Sequence, residues 1–365
     1  MHSLSQCYIV TSTDIIKYTT EKLMSNRFIA ASSALLLSAC IASADAPKVA
    51  VDIAPVHSLV AKVMKGVGKP DLIIPAGASP HEYQLKPSNA KSLEKAKLVF
   101  WIGEDLTPWL EKGLSSLAKD ASVTALLDVD GIRLLDFREG ALFEAHDHSD
   151  HDDHDDHDDH DDHDHDKHAK KEDDHDDHDD HDDHDDHDDH EGHAHGDHDP
   201  HAWLSPQIAK VWLNVIAAKL SEIDPSNAGT YFANANSARQ DLDALSEEIN
   251  KILDPIRDKK FVVFHDAYQY FEKDFNISAS GAISLGDASD PSPARLAEVR
   301  KRVVDEAVEC VLAEPQYNQG IVKAVIEGTD SNTAVIDPLG VKLEVGPSLY
   351  ENLIRNLATN LAKCF

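Results

Sequence analysis

Short apolar runs alternate with segments of helical spacing from residue 48 onward. Lys48 to Ile53 reads as a strand, His57 to Lys65 as a helix, and Asp71 to Pro75 and Leu98 to Ile102 as further apolar runs. The alternation breaks at a long polar tract and resumes with a helix beginning near Pro206, where Ser205 can cap the first turn and Pro206 suits it. From Ser226 to about Ile256 apolar residues recur every three or four positions in a polar background, as at Leu242, Leu245, Ile249 and Ile252, which predicts one long helix. Strand and helix then alternate again through Phe261 to Phe264, Cys310 to Ala313 and Thr333 to Ile336. Strands separated by helices build parallel sheets. The pattern therefore predicts an α/β protein of two parallel-sheet (β/α) lobes, over residues 45–224 and 258–365, joined by a long rigid helix over 225–257. A continuous hydrogen-bonded rod resists bending, so lobe movements should be small.

Residues 1–44 read as a leader. Phe28 to Ala44 is apolar, follows Arg27 and ends in small residues, the layout of a secretory signal rather than a membrane span. Met24 is an alternative start, since Met24-Ser25-Asn26-Arg27 supplies a short basic region. Ala42-Ser43-Ala44 fits a cleavage site and Leu37-Ser38-Ala39-Cys40 a lipid-attachment site; soluble release is the favoured reading over anchoring at Cys40. The export signal implies a periplasmic location. Of four cysteines, Cys7 and Cys40 fall in the leader, leaving Cys310 and Cys364. In an oxidising compartment these could pair, and closing the loop between them would contribute about 4 kcal/mol in the chain-entropy model. The alternative is a buried Cys310 and a frayed terminal Cys364.

Charge is concentrated in one place. The chain carries a net charge of −33, and residues 146–200 hold 28 acidic residues against Lys167, Lys170 and Lys171. No basic patch suggests a nucleic-acid partner. That tract also holds His146, His148, His151, His154, His157, His160, His163, His165 and His168, then His175, His178, His181, His184, His187, His190, His193, His195 and His198. With almost no apolar residues and mutually repelling charges, it is expected to be a disordered His/Asp-rich arm inserted in the first lobe. Neutral imidazoles bind zinc and neighbouring carboxylates raise the local cation concentration, so the arm should bind several ions weakly. A functionless low-complexity expansion is the competing reading.

Four further residues stand out by position, three of them after β-type runs, and ligands in open α/β sheets gather outside the carboxyl ends of strands. His81 comes after the run ending at Pro75, His265 directly after Phe261 to Phe264, and Asp337 directly after Thr333 to Ile336, while His201 precedes a helix. Each lobe would supply two of them to a metal site in the interlobe cleft. Three imidazoles with a carboxylate or water is ordinary zinc chemistry, whereas manganese usually asks for more carboxylates. Asp337 is the weakest member of the set. His57 also follows a strand but reads as a packing or helix-start residue, and Glu82 as a surface or supporting carboxylate.

Four stretches resemble the ZnuA family of periplasmic zinc-binding proteins, the cluster A-I metal solute-binding proteins. They are Pro75-Ala76-Gly77-Ala78-Ser79-Pro80-His81-Glu82-Tyr83, His201-Ala202-Trp203-Leu204-Ser205-Pro206, Val263-Phe264-His265-Asp266-Ala267-Tyr268 and Asp337-Pro338-Leu339-Gly340. The resemblance runs from about residue 47 to the C-terminus. It implies metal binding by His81, His201 and His265, a fourth place for Asp337, another acid or water, and a Cys310–Cys364 bridge. Some relatives carry an acid just before the first histidine; Pro80 stands there in this chain. The implied function is capture of Zn2+, the transported ligand, by a monomer that delivers it to the membrane permease of an ABC importer driven by a separate ATPase. Such a protein is not an enzyme. Two alternatives come from other classes: a zinc-dependent hydrolase or lyase using Asp266 or Glu82 as base, and a metal-binding surface lipoprotein or adhesin.

Overall fold

The computed structural model describes residues 46–138, 143, 198–284, 286 and 291–365. The expected leader and the arm histidines from His146 to His195 lie outside them; of the arm's ligands only His198 is inside. In the first lobe, β1 (Val49–Val51), β2 (Asp71–Leu72), β3 (Leu98–Trp101) and β4 (Ser122–Ala125) form a parallel sheet of order β2-β1-β3-β4. In the second, β5 (Phe261–His265), β6 (Gly281–Ser284), β7 (Cys310–Ala313) and β8 (Asn332–Val335) repeat that order as β6-β5-β7-β8, again all parallel. The central strands β1, β3, β5 and β7 are buried along their whole length, as strands covered by helices on both faces must be. That is why they read as continuous apolar runs.

Helices α1 (Ala54–Val63), α2 (Pro87–Lys95) and α3 (Pro108–Leu117) serve the first sheet, and α6 (Gln269–Phe275), α7 (Pro293–Asp305) and α8 (Gln319–Ile326) the second. Between the sheets run α4 (Pro206–Ile223) and α5 (Ala228–Leu253), and the chain closes with α9 (Leu349–Ala362). Pro55, Pro87, Pro108, Pro206 and Pro293 all stand in first turns, where a missing N–H costs nothing. Ser205 caps α4 as expected, accepting from the Ile208 N–H at 3.1 Å.

The long helix does more than connect. Tyr231, Ala235, Ala238, Leu242, Leu245, Ile249 and Leu253 line one buried face of α5, which packs against α1, α4 and α9. Its Asn234 amide donates to the Val63 and Lys65 carbonyls at 2.9 and 2.8 Å, satisfying acceptors at the open end of α1. Lys62 of α1 bridges Asp241 of α5 at 3.1 Å and also pairs with Glu351 of α9. Strand and helix alternation along the chain carries no sign of α9, which packs on α1 of the first lobe as well as on α5. One apolar core consequently runs through both lobes, and a smaller one, with Val262, Phe264, Val299 and Val303, covers the outer side of the second sheet.

Cys310, the first residue of β7, is bonded to Cys364 beyond α9, with Cα atoms 5.8 Å apart. Cys364 is 3% exposed, so the frayed-terminus alternative does not hold. Among the described residues no helix is long and apolar enough to cross a membrane.

Candidate metal centre

Both sheets reverse their strand order between the two central strands, and at such a reversal the loops leaving the carboxyl ends part and open a crevice. In the second sheet His265 is the last residue of β5. The register that sets Phe261 opposite Cys310 and Val262 opposite Val311 carries His265 opposite Glu314, the residue after β7. The two side chains meet: His265 Nδ1 donates to Glu314 Oε1 at 2.8 Å, and the carboxylate is 1% exposed. In the neutral ring, a donating Nδ1 leaves the lone pair on Nε2.

His201 is prepared in the same way by a local device. Asp199, two residues earlier across Pro200, accepts from both the His201 backbone N–H at 2.9 Å and its Nδ1 at 2.7 Å. Asp199 is 1% exposed. The short 3-10 turn Ala202–Leu204 follows, and its Trp203 indole donates to the Pro338 carbonyl at 2.8 Å, tying the two lobes beside the ring. His81 arrives on the loop before α2. Its N–H bonds Ser79 Oγ at 3.3 Å, and Trp109 of α3 anchors the loop through the Pro80 carbonyl at 2.7 Å.

The structure brings the three rings to one cavity of ≈ 20 Å³, shared with Trp203, Glu314 and Tyr317, with room for about one water-sized occupant. His201 and His265 ring centroids are 5.3 Å apart, and His81 and His201 5.9 Å. Imidazoles bound to one tetrahedral zinc at ordinary Zn–N lengths have centroids about 5.2 Å apart. The first pair is at that spacing and His81, half-buried on its loop, stands slightly outside it. Among the described residues no three His, Cys, Asp or Glu side chains are already closed into a metal-holding group. The arrangement is two rings preset by buried carboxylates and a third on a loop beside them.

Asp337 does not line this cavity. Its Oδ1 accepts from the Leu339 and Gly340 N–H groups at 3.1 and 2.9 Å, and its Oδ2 from Val341 N–H at 2.7 Å. Gly340 takes φ +72° in that turn, a conformation glycine adopts without strain. Here the carboxylate clasps a loop. His57 lies in α1, buried, with Nε2 3.1 Å from the Pro70 carbonyl, and burial lowers its pKa. Neither base imagined for a hydrolase lines the cavity: Glu82 is exposed, and the Asp266 carboxylate is bound to Arg138.

Sequence reasoning missed Glu314 and Asp199. The strand-end rule that selected His265 points equally at Glu314 when applied to the run Cys310 to Ala313, and Asp199-Pro200-His201 is a readable local motif. Glu314 also bears on Tyr268, whose phenol is pushed well above its usual range by burial and then by that carboxylate's charge.

A family profile described as the periplasmic zinc-uptake complex component A, ZnuA, matches residues 49–364. The chain belongs to the ZnuA family. It is 48% identical over 316 residues to the high-affinity zinc uptake system protein ZnuA of Brucella abortus (strain 2308), covering 87% of this chain and 91% of that protein. Its fold is similar to that in a crystal structure of a ZnuA deletion mutant with zinc bound, with a TM-score of 0.64, 20% identity, and coverage of 88% of this chain and 98% of that one. The solute-binding protein FpvC of Pseudomonas aeruginosa, solved with Mn2+, has a TM-score of 0.66 and 17% identity, covering 87% and 98%. The ZnuA architecture is therefore shared by proteins solved with different metals, and metal preference has to be read from the side chains.

Proposed function

We propose that this ZnuA-family chain captures Zn2+ in the periplasm between its two lobes and hands it to the permease of an ABC importer, whose ATPase supplies the energy. His81, His201 and His265 are the ligands through Nε2, and water completes the shell; Asp337 keeps its loop in shape. The observation that carries the reading is the pair of preset imidazoles, each with Nδ1 bound to a buried carboxylate and both facing one ion-sized cavity. A neutral nitrogen donor set of this kind suits zinc better than manganese. Because the ligands must be deprotonated, affinity falls on acidification.

The leader carries the chain across the inner membrane and is removed in favour of soluble release, and the protein works as a monomer. The arm, residues 146–198, gathers zinc weakly and passes it to the tight site. The test is calorimetry with zinc on the full chain and on His81→Ala, His201→Ala and His265→Ala. Each substitution should remove the tight phase while weak binding by the arm persists. A tight phase left intact in all three would overturn the assignment, and unchanged uptake from scarce zinc after deletion of 146–198 would remove the arm's role.

A further inference from the structure

What fixes the backbone beneath His265 lies outside the cavity. Ala267 N–H bonds the His265 carbonyl at 2.9 Å, a tight turn with Asp266 at its centre. The Asp266 carboxylate faces away from the cavity and is gripped by Arg138, whose Nε is 3.0 Å from both Oδ1 and Oδ2 and whose Nη2 also contacts Oδ1. The same guanidinium reaches Glu272 of α6 through Nη1 at 2.9 Å and Nη2 at 3.0 Å. Glu272 Oε2 also accepts from the Ala279 N–H at 3.1 Å. Side-chain exposure is 15% for Arg138, 5% for Asp266 and 6% for Glu272, so these are charge-assisted bonds largely removed from water. The guanidinium also lies 3.6 Å from the Phe143 ring centroid.

Arg138 comes from the first lobe's chain, and α6 holds that segment in register. Tyr270 OH accepts from the Leu135 N–H at 3.0 Å and donates to the Asp199 carbonyl at 2.9 Å. Gln269 Nε2 donates to the Asp136 carbonyl at 3.0 Å and to Asp199 Oδ2 at 3.2 Å. One helix of the second lobe thus holds both the chain that delivers Arg138 and the carboxylate that orients His201.

We propose that Arg138 is a positioning residue for the metal centre: by holding the Asp266 turn it keeps His265 where zinc capture needs it. This rests on His81, His201 and His265 being the zinc ligands. Without the guanidinium, Asp266 and Glu272 are two buried like charges with no counter-ion, and the Asp266 turn relaxes toward water, taking the adjacent imidazole with it. A ligand constellation tolerates displacements of only about 0.5 Å. Lysine cannot replace the fork, because a point charge on a flexible stem cannot hold two carboxylates in fixed planes.

The test compares the full-length wild type with Arg138→Lys and Glu272→Gln, by zinc titration against a competing chromophoric chelator and by the visible bands of bound Co2+, which report ligand geometry. Arg138→Lys should weaken the tight site roughly tenfold or more, as loss of an outer-sphere support does, and alter the cobalt bands. Glu272→Gln, which leaves Asp266 gripped, should lower the melting temperature yet keep both metal readouts at wild-type values. If Arg138→Lys melts earlier but retains wild-type zinc affinity and cobalt bands, Arg138 only stabilises the fold and the proposal fails. Should Arg138→Lys not fold, Asp266→Asn removes the same pairing, and a wild-type metal profile in it overturns the proposal equally. Indistinguishable titrations of wild type and His265→Ala would instead sink the ligand assignment itself.

Discussion

The two sheets have the same strand order and differ in what stands where that order reverses. In the first, Asp52 follows β1 and spends both carboxylate oxygens on the scaffold: Oδ1 accepts from Ile53 N–H and Oδ2 from Ile102 N–H, each at 2.7 Å. Asp52 is fully buried, and that burial pushes its pKa up to about 7 although backbone donors oppose the shift. In the second sheet the corresponding place holds the His265–Glu314 pair. Its imidazole uses Nδ1 on the scaffold, and the ring lines the cavity. Topology supplies a crevice in both lobes. On the reading proposed above, the His265 ring makes one of them a place for a ligand.

The largest expected effect concerns the covalent support, which only the second sheet has. Cys310→Ser with Cys364→Ser should cost about 4 kcal/mol of unfolding free energy in the chain-entropy model, read by denaturant titration. Zinc affinity of the folded protein should change far less, because the bond is at the opposite end of β7 from Glu314.

Next comes the pair itself. Glu314→Gln keeps the shape but loses the charge that orients and polarises His265, and zinc affinity should fall about 10–100-fold. Asp199→Asn should act on His201 in the same range. Wild-type affinity in both would show that the two rings are not preset by their carboxylates.

The Asp52 side of the comparison is visible through pH. Its folded pKa of about 7 lies above the unfolded value of about 3.9, so the folded state favours the protonated form. The stability this provides is fully present below about pH 4 and is lost as pH rises through about 7. Asp52→Asn cannot titrate. Its stability deficit relative to wild type should therefore shrink between those limits, and a constant gap in melting temperature across that range would refute the assignment.

The smallest effect is expected at Asp337. Asp337→Asn should leave zinc affinity unchanged within the error of a titration, since the carboxylate serves the loop of Leu339 to Val341. A loss as large as that of a ligand substitution would return it to the metal shell.

Much of the fold follows from the chain read alone. Central strands are buried on both faces and show as unbroken apolar runs, so β1, β3, β5 and β7 are legible, as is the periodic face of α5. Of the edge strands, β2 and β8 fall in the runs Asp71 to Pro75 and Thr333 to Ile336, but β4 and β6 are not legible. β4, Ser122–Ala125, is half exposed and polar, and β6, Gly281–Ser284, is only four residues with small ends, so their strand character comes from pairing with β3 and β5. The histidines His81, His201 and His265 could be named because each lies in a distinctive local stretch. Their supports are another matter. Glu314 meets His265 through the register of two strands 49 residues apart, and Arg138 reaches Asp266 over 128 residues. Composition and periodicity fix what a segment prefers locally, because burial and backbone geometry repeat along the chain. Which carboxylate faces which imidazole, and whether Asp337 serves an ion or a loop, depends on distances that exist only once the sheets have paired and the helices have closed over them.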